Sequence, residues 1–380
     1  MIEFLTNSKG QNGNGHFGGN STQENAKARR SIGGVWGGGT FGFLVLTYFY
    51  ALEMLKGLMD GSNPRSIFAW ETADAIRATT VNLGPGHESV SLPAEMFRII
   101  PARTNQELAG LALESKSTRR YGQKLNLVPE TSTAAGVGGQ PIVGLMACVA
   151  DFPALDERIR TGLLAQRERH LVTQQSERGK SLEVHSVSHQ FLVGNAAGGT
   201  FNGSAIIIAS RIKYWCKQFG LPVKIHLIVL MPSVATTHDR DLASRNCAAF
   251  LRQASLACEK PERIRFHLFN GETISNEAGE PLFDSIVPWG VSSGKITLGN
   301  RQQAAADIAL TLHTLLETPL AQVSEEQFRD GAKDLLDRRN GFRGFRRIVT
   351  SRFHLDQKRN DYAATLAGME TVTNRLLGIE

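Results

Sequence analysis

The chain has 380 residues, 41% hydrophobic and 21% charged, which are the proportions of a folded protein with a sizeable core and exclude a chain that is disordered overall. A net charge of +6 with a pI near 9.2 is a small excess for this length, so it gives weak support to nucleic acid as a partner. The four cysteines, Cys148, Cys216, Cys247 and Cys258, show no CxxC spacing and lie in apolar segments, which argues against a zinc site and reads as reduced core thiols.

Residues 6–31 are rich in Asn, Gly, Ser and Gln and almost lack large apolar side chains, the composition of a flexible tail. The N-terminus lacks the basic-then-apolar order of a signal peptide. The longest apolar run, 41–52, is about half of a bilayer span and stops at Glu53. These features predict a cytoplasmic protein with no transmembrane segment.

From residue 31 onward strand-like and helix-like segments alternate. Residues 32–36 read as a short strand, and 43–58 as a helix; 66–70, 184–193, 225–230 and 264–269 are β-rich. Residues 155–170, 205–219 and 241–258 carry helical spacing, and a final helix is predicted over 300–318. The alternation predicts an α/β fold, a parallel Rossmann-like sheet with helices on both faces.

Three glycine-rich turns fall where such a sheet binds ligands, at the carboxyl ends of its strands. They are Gly37-Gly38-Gly39-Thr40, Gly136-Val137-Gly138-Gly139-Gln140-Pro141, and Ala197-Gly198-Gly199-Thr200-Phe201-Asn202-Gly203. Loops nearly without side chains let backbone N–H groups close around an anion, and a following helix N-terminus adds positive potential. Three of them imply a nucleotide with several phosphates.

No G-x-x-x-x-G-K-[ST] occurs, so P-loop chemistry is excluded. Gly37-x-Gly39-x-x-Gly42 does have the dinucleotide spacing, with Glu71 or Asp74 as the ribose acid, and leaves an NAD-dependent oxidoreductase as an alternative. His185 and His189 share an i, i+4 spacing, but on a strand-like segment they read as ordinary core or surface histidines. Arg338, Arg339, Arg343, Arg346, Arg347 and Arg352, interleaved with Phe342, Phe345 and Phe353, read as a half-buried strand or partner-binding edge rather than a nucleic-acid site.

Taken in order, these elements resemble the tubulin/FtsZ superfamily, including the bacterial tubulin-like proteins, over roughly residues 31–376. Residues 32–39 are similar to the family's first strand and phosphate loop, and Glu71-Thr72-Ala73-Asp74 to its Asn-Thr-Asp loop. Residues 135–144 are similar to the loop flanking the γ-phosphate, and 197–203 to its main glycine-rich phosphate loop. Met231-Pro232 resembles the sugar-side loop, Asn270 stands where the family has an Asn near ribose and base, and 304–308 resembles the start of its central helix.

The resemblance implies GTP or GDP as ligand, with Mg²⁺ held mainly by phosphates and water. It assigns binding to Gly37, Gly38, Gly39, Thr40, Asp74, Gly136, Gly138, Gly139, Gln140, Gly198, Gly199, Thr200, Asn202, Gly203, Pro232, Asn270 and Asp307. Asp307 would accept from the guanine N1–H and N2–H₂ and so reject adenine. Asp330, Asp334 and Asp337 are the candidate catalytic acids, acting in trans at a subunit contact, which implies self-association or a protein partner and a possible filament. The implied organisation is a tail at 1–30, a GTP-binding domain at 31–299, a central helix at 300–323 and a short C-terminal segment at 324–380.

Two departures stand out. Phe201 and Asn202 replace a glycine and a small hydroxyl residue of the family's phosphate loop, which restricts the backbone if position 201 needs a positive φ. Residues 345–356 resemble the first strand of the family's second domain, and most of the rest of that domain is missing or replaced. Both departures keep a second alternative open, a nucleotide-binding scaffold that does not hydrolyse.

Overall fold

The computed structural model describes residues 33–60, 65–82, 89–114, 116–127, 132–177, 187–232, 240–290 and 301–317. The expected tail, Asp330, Asp334, Asp337, His185 and the arginine-rich segment from Arg338 to Arg352 lie outside the described residues.

Six strands form one parallel sheet: β1 (Gly33–Gly38), β2 (Ile67–Glu71), β5 (Phe97–Ile99), β6 (Ser188–Asn195), β7 (Val223–Leu230) and β10 (Ser285–Trp289). Their order is β10-β7-β6-β1-β2-β5. The chain steps from β1 toward β2 and β5 on one side and from β6 toward β7 and β10 on the other. The reversal therefore falls between β1 and β6, and the carboxyl ends of those two strands open the crevice in which sheets of this kind take a ligand. This is the doubly wound α/β fold that the alternation predicts.

Helices cover both faces. On one, α1 (Gly39–Asp60) and the last described helix, α8 (Arg301–Glu317), pack on alternate strand residues. Phe41, Val45, Leu46, Phe49, Ala305, Ile308 and Leu312 close over Val35, Ala69, Val193 and Ile228. The other face is covered by α4 (Pro141–Ala150), α5 (Phe152–Glu177), α6 (Gly199–Gln218) and α7 (Arg240–Glu259), with α2 (Asn105–Glu114) and α3 (Arg119–Leu125) beside α4. There Trp36, Trp70 and Leu192 meet Met146, Leu155, Ile159, Phe201 and Phe250. Each fully buried side chain of this size contributes about 2 kcal/mol, so the two layers fix the sheet from both sides.

Strand β1 reads GGVWGG and is buried throughout. A Cβ on Gly33 would stand 2.3 Å from the His189 carbonyl oxygen, and one on Gly34 2.4 Å from Gln166 Nε2. Gly37 and Gly38, expected in a phosphate turn, instead end this strand. A Cβ on Gly37 would meet the Gly42 carbonyl at 2.5 Å, and one on Gly38 the Trp70 ring at 2.4 Å. They are glycine because α1, Trp70 and Phe201 pack directly onto the strand.

One expected sheet strand is elsewhere. Residues 264–269 supply β8 (Arg265–His267), which pairs antiparallel with β9 (Thr273–Ser275) in a separate hairpin. The fully apolar face needed next to β7 comes from β10, whose Ile286 and Val287 are buried, whereas Arg265 is exposed. A second small pair, β3 (Val81–Asn82) with β4 (Ser89–Val90), flanks the sheet.

No described helix is long and apolar enough to cross a membrane. All four cysteines are free, and burial pushes the thiol of Cys216 up to about 12, those of Cys247 and Cys258 up to about 11, and that of Cys148 further still. They stay protonated near neutrality and are packing residues rather than nucleophiles.

Candidate functional site: a glycine cradle at the carboxyl edge of the sheet

Four chain segments converge where β1, β2 and β6 end. The first is the β1–α1 junction, in which Gly39 takes φ +73° and leads into the exposed Thr40. A second runs through Glu71, Thr72, Ala73 and Asp74 after β2. The segment 136–140 before α4 is the third, with Gly136, Gly138 and Gly139 at φ +92°, +56° and +75°. The turn 195–199 between β6 and α6 completes the set. A Cβ on Gly39 would lie 3.8 Å from Glu71 Oε2, one on Gly136 3.6 Å from the Ala73 Cβ, and one on Gly139 3.8 Å from the Ala197 carbonyl, so the four border one another.

Backbone polarity favours an anion here. Helix α6 begins behind Gly198, and α4 behind Gln140, neither with a side-chain cap. The first N–H groups of α6, and those of α4 after Pro141, which has none, therefore have no side-chain acceptor of the kind that usually closes a helix start. Gly138 has no other atom within 4 Å of its Cβ position, and Gly198 only Asn195 at 3.4 Å or more. An open rim of left-handed glycines and uncapped helix starts is a cradle suited to phosphate oxygens.

Hydrogen bonds from below fix the loops. Asn195 Oδ1 accepts from Ala197 N at 2.9 Å, and Gly198 N donates to Asn195 O at 3.0 Å, closing the β6–α6 turn. Asn202 Nδ2 donates to the carbonyls of Ala196 (2.6 Å) and Asn246 (3.0 Å), and Asn246 Nδ2 to those of Gly139 (2.6 Å) and Ala197 (3.4 Å). Asn202 thus staples the structure beneath the cradle through its amide nitrogen. Asn246, on α7, ties two cradle loops together, and no motif in the sequence singles it out.

At the centre lies Glu71, 2% exposed. Its Oε2 accepts from Thr40 Oγ1 at 2.8 Å. Its Oε1 accepts from Thr200 Oγ1 at 2.8 Å, Thr72 N at 2.6 Å and Thr72 Oγ1 at 3.1 Å. Thr72 and Thr200 also share a 3.0 Å hydroxyl contact. The carboxylate therefore joins the end of β2 to the first turns of α1 and α6. Among charged groups, Arg301 at the start of α8 feels the Glu71 carboxylate.

The expected site residues separate into groups. Gly39, Thr40, Gly136, Gly138, Gly139, Gln140, Gly198 and Thr200 meet at the cradle. Gln140 Oε1 is buried without a hydrogen-bond partner among the described residues, and turning that amide over would present N–H₂ donors instead. Gly199 and Gly203 lie inside the first turns of α6 and serve packing: their Cβ atoms would stand 2.3 Å from Val137 Cγ2 and 2.2 Å from the Pro141 carbonyl. Gly144 on α4 matches them, with the Gly199 carbonyl 2.2 Å from its Cβ position. The two helices cross backbone to backbone because these residues have no side chains.

Phe201 is helical and 1% exposed, packed on Trp70 and Phe250 under Gly194, so the restriction expected from a positive φ at this position does not arise. Asp74 is exposed and paired with Arg77. Pro232 follows β7 at the same edge of the sheet. Asp307 is half-buried on α8, where its Oδ1 accepts from Gln303 Nε2 at 3.0 Å. Asn270 is not brought to the cradle: it sits in the β8–β9 turn, its Oδ1 accepting from Glu272 N, and Glu272 in turn meets Arg211 on the third to fourth turn of α6. The reading of 264–269 as a sheet strand misplaced it.

Of the two acids offered for the dinucleotide alternative, Asp74 is exposed and paired with Arg77, and Glu71 is not available. Glu71 ends β2 where a ribose-binding carboxylate belongs, but it is buried and both its oxygens are engaged by Thr40, Thr72 and Thr200.

Comparison with known proteins follows this geometry. A family model described as tubulin-like matches residues 116–286, which take in α4, β6, the cradle turn 195–199, α6 and β7. No curated protein sequence matches. Among solved structures, CetZ1 from Haloferax volcanii as a GDP-bound monomer is similar at 13% identity and TM-score 0.42, over 77% of this chain and 63% of that one. CetZ2 from the same organism, a GTPγS-bound protofilament, is similar at 14% identity and TM-score 0.37, over 76% and 58%. TubZ from Bacillus thuringiensis serovar israelensis, a GTPγS-form protofilament, is similar at 13% identity and TM-score 0.37, over 77% and 58%. The chain thus spans less than two thirds of the length of these structures. Residues 116–286, a little under half of the chain, are thus similar to the tubulin-like family.

Proposed function

We propose that this protein binds a guanine nucleotide, with its phosphates in the cradle formed by Gly39, Thr40, residues 136–140 and residues 195–199. One observation carries the reading: α4 and α6 both start at this edge without side-chain caps, beside left-handed glycines, at the point where the strand order reverses. Backbone N–H groups there can turn toward phosphate oxygens without a side chain in the way. Pro232 would lie on the sugar side, and Asp307 on α8 would accept from the guanine N1–H and N2–H₂. Mg²⁺ would be held chiefly by the phosphates and water, supplying charge neutralisation.

Hydrolysis, in this reading, is in-line attack of water completed at a contact with another subunit or a partner, with Asp330, Asp334 or Asp337 positioning the water. A lone subunit would then turn over slowly, and a head-to-tail contact of this kind extends into an open filament. Calorimetric titration with GTP in Mg²⁺ buffer, with ATP and NAD as controls, tests the binding step. GTP-selective binding is expected, and its absence overturns the reading. Turnover per subunit that rises with protein concentration is expected of the trans-acting step; a concentration-independent rate would sink it, and binding without turnover would identify a scaffold.

A further inference from the structure

We propose that Glu71 is an internal anion that competes with the ligand's phosphates for the first turns of α1 and α6 and so selects against bare polyanions. The inference rests on the cradle reading above. Its observation is a proton count. A threonine hydroxyl has one proton to give. Thr40 donates its own to Glu71 Oε2, 2.8 Å away. The protons of Thr72 and Thr200 are confined between each other and Glu71 Oε1, at 2.8 to 3.1 Å. In this state the hydroxyls heading α1 and α6 offer an incoming ligand lone pairs, not donors.

Charge acts in the same direction. Glu71 is buried, and Gly39, the residue that opens the cradle, has its Cβ position 3.8 Å from Oε2. A phosphate against Gly39 and Thr40 would face a carboxylate a few ångströms away in surroundings that screen poorly. Burial lowers the Arg301 pKa and the Glu71 carboxylate opposes that, so the two charges feel one another. A phosphate that arrives with its own counter-charge avoids the repulsion, whereas a bare one does not.

Glu71→Gln is nearly isosteric and separates charge from packing. Its amide oxygen at the Oε1 position still accepts from Thr72 N and Thr200. Its N–H₂ at the Oε2 position donates to Thr40 and turns the Thr40 proton outward. The experiment measures binding of GTP and of inorganic tripolyphosphate to full-length wild type and E71Q, in EDTA and in Mg²⁺, with thermal melting as a fold control. In EDTA, E71Q is expected to bind both about tenfold more tightly than wild type, and in Mg²⁺ the gap should shrink below about threefold.

Equal or weaker binding by E71Q in EDTA, with wild type binding GTP in Mg²⁺, overturns the competition and leaves the nucleotide reading intact. No binding of either probe by either protein in any buffer overturns the nucleotide reading itself. If E71Q does not fold, Glu71→Asp keeps the charge but withdraws it from Thr40; tighter tripolyphosphate binding in EDTA is again expected, and unchanged or weaker binding overturns the proposal.

Discussion

The two ends of the six-stranded sheet both carry buried polar clusters, and they differ in what surrounds them. At the amino-terminal half, His189 Nδ1 and His226 Nε2 meet at 3.0 Å in a parallel stack, and His226 Nδ1 meets Ser285 Oγ at 2.8 Å. Nearby, Trp36 Nε1 donates to Gln190, and Gln190 to Gln166 and Ser188. These groups serve one another, except that Gln166 Nε2 is buried without a hydrogen-bond partner among the described residues. At the carboxyl edge, Glu71, Asn202 and Asn246 are equally occupied, yet they hold loops with left-handed glycines and helix starts without side-chain caps. The contrast separates a polar network enclosed within the sheet from one that supports an open glycine rim.

Glycine divides in the same way. Gly144, Gly199 and Gly203 let α4 and α6 touch, whereas Gly39, Gly136 and Gly138 form the rim. The strongest way to break the comparison is Gly203→Ala, whose Cβ would lie 2.2 Å from the Pro141 carbonyl and 2.5 Å from Leu145 N. Backbone cannot step aside as a side chain can, so a loss of about 3 kcal/mol or more is expected in urea unfolding. A near-neutral result would mean the helix crossing is looser than described.

Acidification addresses the opposite end. Burial, and then the Lys224 charge, lower the His189 pKa from 6.5 to about 4. Between those values the unfolded chain holds a proton that the folded chain lacks, so stability is full above about pH 6.5 and falls as pH drops toward 4. The expected loss by pH 4 is on the order of 2 to 3 kcal/mol, and His189→Gln should flatten that part of the profile. A profile unchanged by the substitution would assign acid sensitivity to other groups.

Asn246→Ala removes the donor to the Gly139 and Ala197 carbonyls. Because it leaves the cradle built but loosely held, GTP affinity should fall about tenfold with only about 1 kcal/mol lost in stability. Equal losses in a distant probe of folding would make Asn246 an ordinary core contact. The smallest effect belongs to Gly138→Ala, where the position is open and only the left-handed φ of +56° resists: about 1 kcal/mol is expected, against the larger cost at Gly203. Reversal of that order would overturn the division between packed and rim glycines.

The alternation of apolar strands and amphipathic helices was legible because period and burial are local properties of a chain: 66–70, 225–230 and 300–318 lie within one or two residues of β2, β7 and α8 at most of their ends. The glycine turns were legible too, since the left-handed backbone at Gly136 and Gly138 favours glycine. What the sequence could not distinguish is why each glycine is there. Gly39 and Gly203 look alike in a string of letters, and only the position of α4 shows that one lines an opening and the other a contact. Nor could β8 be told from β10, because a short β-rich stretch does not say which neighbour it pairs with.

The sequence by itself therefore determined the fold class, the tubulin-like order of the loops and the edge of the sheet where they gather. Tertiary structure alone decided that Glu71 is buried among Thr40, Thr72 and Thr200, that Asn246 reaches two loops from α7, and that Asn270 stands apart. The physical reason is range. Propensity and periodicity act over a few residues, whereas a carboxylate's partners lie 31 and 129 positions away and are chosen by how helices pack.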